Sequence, residues 1–173
     1  MMTPAKIFWV VFGSILAAAA AIVIIVFGFR LALEVAHRPS RAARNQIFVV
    51  GSLRTINIAS ETYSSTYPHG FPERLDQLGP GPAGTYTSEA AGLIDEQLAS
   101  GKKQEYIFTY TPAAPDRRGF ISSYTVTARP KIFGVTGEKN FFLDQTGVIR
   151  ETTENREPTA ADPPQSGDLR EQL

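Results

Sequence analysis

The feature that most constrains this chain is an apolar run of 23 residues, 7–29, without a single charged side chain. As a helix rising about 1.5 Å per residue it would be roughly 35 Å long, enough to cross a hydrocarbon core of about 30 Å. A helix also satisfies its own backbone hydrogen bonds, which lipid cannot do. Trp9 near one end and Arg30 after the other are typical interfacial anchors. The run predicts one membrane-spanning helix, residues 7–34.

Two other interpretations of the run fit less well. A cleaved signal peptide has an apolar core of about 7–15 residues followed by a small-x-small cleavage site. This run is longer, and no such site follows it cleanly. A buried soluble helix would need other elements to cover a wide apolar surface, and the rest of the chain does not offer them.

The charges that flank the run bear on its orientation. Lys6 and the terminal amine lie in a short flank, residues 1–6, before it. Four arginines and one glutamate follow it: Arg30, Arg38, Arg41, Arg44 and Glu34. Counted simply, the positive-inside rule places the C-terminal part of the chain in the cytoplasm.

The remaining composition suits one soluble domain attached to this anchor. The chain has 173 residues with 17 basic and 17 acidic side chains, so it offers no basic excess for binding nucleic acid. It contains no cysteine, which excludes disulfides, thiolate metal sites and a cysteine nucleophile.

A second helix is predicted soon after the anchor. Pro39 should end or kink the first helix, and Ser40 can cap a new one from Arg41 to about Tyr67. Pro68, His69 and Gly70 then stop it. One mostly apolar stripe of this helix should pack on a sheet: Ile47, Val50, Leu53, Ile56, Ser60, Tyr63 and Tyr67.

Shorter elements complete the predicted domain, residues 35–150. A helical turn over 71–78 precedes an irregular glycine- and proline-rich loop, 79–84. Ser88 can cap a short helix that runs through Ala99 and ends at Gly101. Strands are predicted at 106–110, 121–129, 140–143 and 147–150, and the last two flank a hairpin turn with a left-handed Gly147. The predicted class is α+β, a long helix across one face of an antiparallel sheet of about four strands.

The C-terminal segment, residues 151–173, is predicted to be a disordered acidic tail. It holds six acidic and two basic residues, three prolines and few apolar side chains. Such a composition buries too little surface to offset the entropy lost on ordering.

The chain offers few groups for catalysis. His37 lies near the membrane interface and His69 in a turn, so we do not expect them to share a site, and a solvated side chain explains each. Asp95 and Glu96 are adjacent on a predicted short helix and point to different sides. No catalytic, cofactor-binding or metal-binding residue is assigned, and we expect no enzyme and no cofactor.

Other patterns have plain structural explanations. The serine pairs 64–65 and 122–123 lack a nearby histidine to activate them. The glycines of 79–84 lack the lysine of a phosphate-binding loop. Residues 144–147 offer one aspartate, too little for calcium, and a hairpin turn explains them. Five tyrosines at helix and strand spacing predict a packed aromatic core with its hydroxyls at the edge: Tyr63, Tyr67, Tyr106, Tyr110 and Tyr124.

Segments between Arg44 and Arg150 resemble the globular domain of type IV pilin-like proteins and type II secretion pseudopilins. The helix segments are VGSLRTIN at 50–57 and ETYSSTYP at 61–68. The likeness continues through Gly-Phe-Pro at 70–72, Leu75, Leu-Gly at 78–79, GLID at 92–95 and LASG at 98–101. It resumes with YIFTYTP at 106–112, SYTV at 123–126 and NFFLDQTGVIR at 140–150.

This resemblance implies a pilin-type fold, in which a helix leaves the membrane and packs on a small antiparallel sheet. It also implies a domain outside the cytoplasmic membrane, opposite to the arginine count, and we adopt that orientation. Members of the family carry a basic leader that a peptidase cuts after a glycine, and a glutamate early in the apolar stretch. Here no glycine precedes residues 6–9, and Gly13 lies inside the run with no glutamate after it. We therefore expect a permanent tether.

Two functions are expected from these observations. The first is a membrane-anchored structural or interaction subunit, such as a minor or non-polymerising component of a type IV pilus or type II secretion assembly. The alternative is a tethered extracytoplasmic module that binds or senses a ligand outside any fibre. The expected partners are the lipid bilayer and other pilin-like or secretion subunits, with no nucleic acid and no small-molecule substrate, at the cytoplasmic (inner) membrane.

Overall fold

The computed structural model describes residues 22, 25–27, 30, 40–82 and 85–166. The chain forms two compact units, residues 1–39 and 40–173, and nearly all described residues belong to the second. The predicted membrane-spanning run 7–29 lies outside the described residues except for 22 and 25–27, and so does Pro39. Within the described part, no helix is both long enough and apolar enough to cross a membrane.

The predicted second helix is confirmed as α1, Arg41–Thr66. The Ser40 hydroxyl oxygen accepts a hydrogen bond from the Ala43 amide at 3.1 Å, which satisfies one of the amides left open at a helix start. The helix ends where Tyr67 turns extended, directly before Pro68, because the residue before a proline disfavours the helical region.

The buried face of α1 differs from the predicted stripe at its start. Ile47 was expected to be buried but is 67% exposed. Several buried positions of α1 hold polar residues. The spacing of apolar residues alone therefore does not locate the buried face of this helix. The buried positions of α1 are Ala42, Asn45, Val49, Ser52, Leu53, Ile56, Asn57, Ala59, Ser60 and Tyr63.

The sheet has five antiparallel strands instead of the expected four, and each strand pairs with the next along the chain. The strands are β1 Lys102–Lys103, β2 Tyr106–Pro112, β3 Tyr124–Pro130, β4 Asn140–Asp144 and β5 Arg150–Thr152. Burial alternates along β3, where Tyr124, Val126 and Ala128 face the core. The α+β class and the antiparallel sheet are thereby confirmed.

The last strand begins later than predicted. The turn after β4 closes with a hydrogen bond from the Gly147 amide to the Asp144 carbonyl at 3.0 Å. Gly147 has a φ of 75°, as expected for its left-handed position. Pairing resumes only at Phe142 with Arg150, so residues 145–149 form a longer connection and the strand predicted at 147–150 is displaced to β5.

The short elements between α1 and the sheet also differ from expectation. A single 3-10 turn, Leu75–Leu78, replaces the helical turn predicted from residue 71. The helix predicted from Ser88 is wrong over 88–95. The amides of Ala91 and Leu93 donate to the carbonyls of Gln77 and Leu78 at 2.8 Å, which ties that segment to the 3-10 turn instead of to a helix of its own. Only α2, Glu96–Ala99, is helical, with Asp95 as its cap.

The predicted disordered tail is wrong for residues 151–166. After β5 the chain folds back, and the Gln165 amide donates to the Ile149 carbonyl at 2.8 Å. Asp162 is only 4% exposed, and its carboxylate accepts hydrogen bonds from the Arg156 guanidinium and from the Thr159 amide. This local pairing supplies stability that the segment's composition does not reveal. Residues 167–173 lie outside the described residues.

Loss of the Asp162 carboxylate should weaken this segment. Asp162→Asn leaves the buried oxygen but loses the charged pair with Arg156, so we expect the free energy of unfolding to fall by about 1–3 kcal/mol. Chemical denaturation of the full chain in detergent micelles measures this. Glu157→Gln is the matched control, because its ion pair with Arg129 is exposed and should contribute less than about 1 kcal/mol. If both variants lowered the free energy of unfolding equally, the stabilising role of the Asp162–Arg156 pair would be contradicted.

The Arg156–Asp162 pair should make the stability of the fold depend on pH in the acid range. Hydrogen bonding by Arg156 lowers the pKa of Asp162 to about 2, from an ordinary value of 3.8. Because the folded pKa is the lower one, the pair stabilises the fold above the ordinary value and loses this effect as the pH falls toward about 2. The stability difference between wild type and Asp162→Asn should therefore shrink in that range, and it should stay constant if the pair is unimportant.

Candidate interaction surface

Among the described residues, the candidate histidine and the candidate carboxylates lie on different elements of the fold. His37 lies outside the described residues, and His69 is exposed in the turn after α1. Asp95 caps α2 and pairs with Lys103 at 2.5 Å, and this lysine lowers the pKa of the Asp95 carboxyl. The neighbouring Glu96 lies in the first helical turn. Asp95 and Glu96 therefore have a structural role at the start of α2.

The other candidates also have structural roles. The Ser65 hydroxyl donates to the Thr62 carbonyl at 2.9 Å. The Asp144 carboxylate accepts from the Thr146 amide at 2.9 Å inside the hairpin turn. Among the residues that the structure describes, no three histidine, aspartate or glutamate side chains come together as metal ligands.

The tyrosines form the expected aromatic core, but the hydroxyls of Tyr110 and Tyr124 are buried inside it and do not lie at its edge. Tyr110 stacks on Tyr124 with ring centroids 5.2 Å apart. Burial raises the pKa of both phenols above the ordinary 10.0. At the edge, the Tyr63 hydroxyl donates to the Ser88 carbonyl at 2.8 Å and the Tyr106 hydroxyl donates to the Lys139 carbonyl at 3.0 Å. These rings are held by the fold and are not free to stack on a ligand.

A groove of about 660 Å³ lies between α1 and the β4–β5 side of the sheet. Phe141, only 1% exposed, contributes to its lining. The Lys139 ammonium pairs with the Glu151 carboxylate at 2.6 Å on the same lining. The groove mixes apolar and charged groups: Ala43, Gln46, Ile47, Val50, Gly51, Arg54, Lys139, Phe141, Glu151 and Gln165.

The face of α1 opposite the core is also partly apolar. Ile47 is 67% exposed and Ile58 is 63% exposed, and helical spacing places both on one side with Gly51 between them. A Cβ added at Gly51 would meet nothing within 4 Å. We define Ile47, Gly51 and Ile58 as the outer face of α1, of which Ile47 and Gly51 also line the groove. The sequence pattern missed this face because it placed Ile47 in the buried stripe.

Comparison with family models, curated proteins and solved structures gives no match to this chain. The functional interpretation therefore depends on the groove, on the outer face of α1 and on the sequence.

The ion pair in the groove should stabilise the domain. Glu151 has a side chain only 12% exposed, so Lys139→Met would leave a largely desolvated carboxylate without its cation. We expect the free energy of unfolding to fall by about 1–3 kcal/mol, as measured by urea titration. Arg74→Met is the control, since the Arg74–Asp76 pair is more than half exposed on both sides and should change stability by less than about 1 kcal/mol.

Proposed function

We propose that this protein is a membrane-anchored interaction subunit of pilin-like architecture, in which the outer face of α1 packs against a neighbouring subunit. The observation that carries the proposal is Gly51 at the centre of that face. The proposed anchor is the apolar run 7–29, and the proposed location of the domain is outside the cytoplasmic membrane. The role is that of a structural component, which needs no cofactor and no catalytic group.

A glycine inside a helix needs a reason, because it is about 0.5–1 kcal/mol less favourable there than alanine. Gly51 lies well inside α1, is not among the glycines with positive φ, and has open space where a Cβ would be. The fold of the domain itself therefore does not require it. A residue without a side chain allows another element to approach the helix backbone closely, and the exposed isoleucines on either side can bury their apolar surface in the same contact.

The resemblance to pilin-like proteins supports the same arrangement. In that architecture the helix leaves the membrane, and the sheet covers only one of its sides. The described domain has this partial coverage: Val49 and Leu53 are fully buried while Ile47 and Ile58 remain exposed. The exposed side is the surface through which neighbouring subunits would meet.

The alternative is a tethered module that binds or senses a ligand. The groove favours it, because its volume of about 660 Å³ suits a small ligand and its lining combines Val50 and Phe141 with the Lys139–Glu151 pair. Under this alternative, substitutions at Val50 or Lys139 would impair function and a substitution at Ile58 would not.

Gly51 provides a direct test of the packing proposal. Gly51→Ala should raise the free energy of unfolding of the full chain in micelles by about 0.5–1 kcal/mol, because it favours the helix and meets no neighbour. Gly101→Ala is the contrasting control. Its φ of 72° and a Cβ position 2.8 Å from the Phe108 carbonyl oxygen should make that variant less stable. A destabilising Gly51→Ala would show that the domain itself needs this glycine.

The contact itself can be tested by cross-linking, since the chain has no native cysteine. Ile58→Cys should cross-link to a neighbouring subunit in native membranes. Adding Gly51→Leu should lower the yield about tenfold or more, because a branched side chain separates the helices. Gln145→Cys, exposed in the β4–β5 turn, is the control that should remain uncross-linked. If the cross-linking yield is unchanged by Gly51→Leu, close packing at the outer face of α1 is contradicted.

Membrane orientation is a separate prediction. A periplasm-active reporter fused after the C-terminus should be active, and a cytoplasm-active reporter at the same position should be silent. The opposite result would agree with the arginine count and would remove both the proposed location and the pilin-like assembly.

A further inference from the structure

A second apolar feature lies at the end of the domain where α1 begins. It is the loop of residues 131–137, between β3 and β4, which we name the apical loop. Ile132 is 58% exposed and Val135 is 64% exposed at its tip. Large apolar side chains in such positions contact water unless a partner covers them.

The apical loop is held in a defined shape. The Val135 amide donates to the Ile132 carbonyl at 3.1 Å, and the Thr136 amide donates to the same carbonyl at 2.9 Å. The Thr136 side chain is buried, and its hydroxyl oxygen accepts from the Ile132 amide at 3.1 Å. The two exposed apolar side chains are therefore presented by a closed, hydrogen-bonded turn.

One contact fixes the apical loop to the start of α1, and a second fixes it to the turn between β1 and β2. Asn45, in the second turn of the helix, donates from its side-chain amide to the Thr136 carbonyl at 2.8 Å, and this bond is buried. The Lys131 amide donates to the Glu105 carbonyl at 2.9 Å. Glu105 lines a cleft of about 440 Å³ together with Arg41 and Arg44 of α1.

This end of the domain therefore combines apolar and cationic groups. Arg41 and Arg44 are exposed on the first turns of α1. Phe48, 54% exposed, lines the same cleft. The chain reaches this end from the apolar run 7–29, which stops only 12 residues before Arg41.

We propose that the apical loop is a second membrane contact: Ile132 and Val135 enter the interfacial region of the bilayer, and Arg41 and Arg44 meet its phosphate-bearing headgroups. Apolar side chains beside arginines are the combination that binds a lipid surface, because the first bury area among acyl chains and the second attract anionic lipid. The partner is the lipid itself. The inference rests on the proposed anchor, which brings this end of the domain to the bilayer.

The contact would fix how the domain stands on the membrane. A single point of attachment leaves the tilt of a domain on the membrane unrestricted, whereas a second point restricts it. The outer face of α1 would then be held in one orientation relative to the bilayer, as packing between neighbouring subunits requires.

Fluorescence in proteoliposomes tests the proposal on the full chain. Val135→Cys gives a unique labelling site because the chain has no cysteine. An environment-sensitive dye there should shift to the blue and be quenched by nitroxide lipids in vesicles of phosphatidylcholine and phosphatidylglycerol. Ser65→Cys, at the other end of α1 and roughly 36 Å from Arg41 along the helix, should show neither change.

Matched variants separate the two parts of the contact. Adding Ile132→Asp to the labelled chain should lower the membrane-inserted fraction of the loop about tenfold or more, because it replaces apolar contact with a charge. Ile58→Asp, at an equally exposed isoleucine of α1, should leave quenching unchanged. Arg44→Gln should reduce quenching in vesicles with phosphatidylglycerol and have little effect in phosphatidylcholine alone.

Carbonate extraction distinguishes failure of the loop contact from failure of the anchor. If the chain resists extraction but the dye at position 135 stays unquenched, the loop contact is wrong and the anchor stands. Equal quenching at positions 65 and 135 would also overturn the loop contact. If carbonate releases the chain from the vesicles, the proposed anchor fails and the loop contact fails with it.

Discussion

One face of α1 packs into the core that it shares with the sheet, and the rest of the domain is arranged around this contact. Val49, Leu53 and Ile56 have no exposed surface and belong to one apolar cluster with Val126 and Leu143 of the sheet. Full burial of each such side chain contributes about 1.5–3 kcal/mol. The sheet is a meander of short strands, and its inner face would be open to water without this helix.

Polar contacts then fix the position of the helix along the sheet. Apolar packing alone is non-directional, so it does not select one register among similar ones. The side-chain amide of Asn57 donates to the Tyr124 hydroxyl at 2.9 Å, and the amide of Asn45 donates to the Thr136 carbonyl at 2.8 Å. Both bonds are buried, and sliding the helix by one turn would leave their donors unsatisfied. The same bonds determine which side of α1 stays outside.

The sequence was informative where local rules govern the structure. Ser40 as a cap, the end of the helix before Pro68 and the left-handed Gly147 each follow from the conformational preference of one residue. Strands were found where aromatic and β-branched residues cluster, as in β2.

The sequence-based predictions that proved wrong have a different cause, because the features concerned depend on contacts between segments of the chain. The burial of Asp162 depends on its pair with Arg156, and the non-helical course of 91–94 depends on hydrogen bonds to carbonyls of the 3-10 turn. The exposure of Ile47 follows from burial of the polar Asn45. The outer face of α1 and the apical loop were missed for the same reason, since exposure is a property of the assembled domain.

Under the proposed function, two features that weaken an isolated domain would each serve a contact with a partner. Gly51 makes α1 less favourable as a helix, and exposed Ile132 and Val135 leave apolar surface in water. Neither is required by the core, whose cluster is complete without them. Alanine in place of the glycine would favour the helix, and polar residues at the tip of the loop would remove apolar surface from water. They lie at two separate places, one along α1 and one in the apical loop, and the proposed neighbouring helix and the proposed lipid contact would each cover one of them.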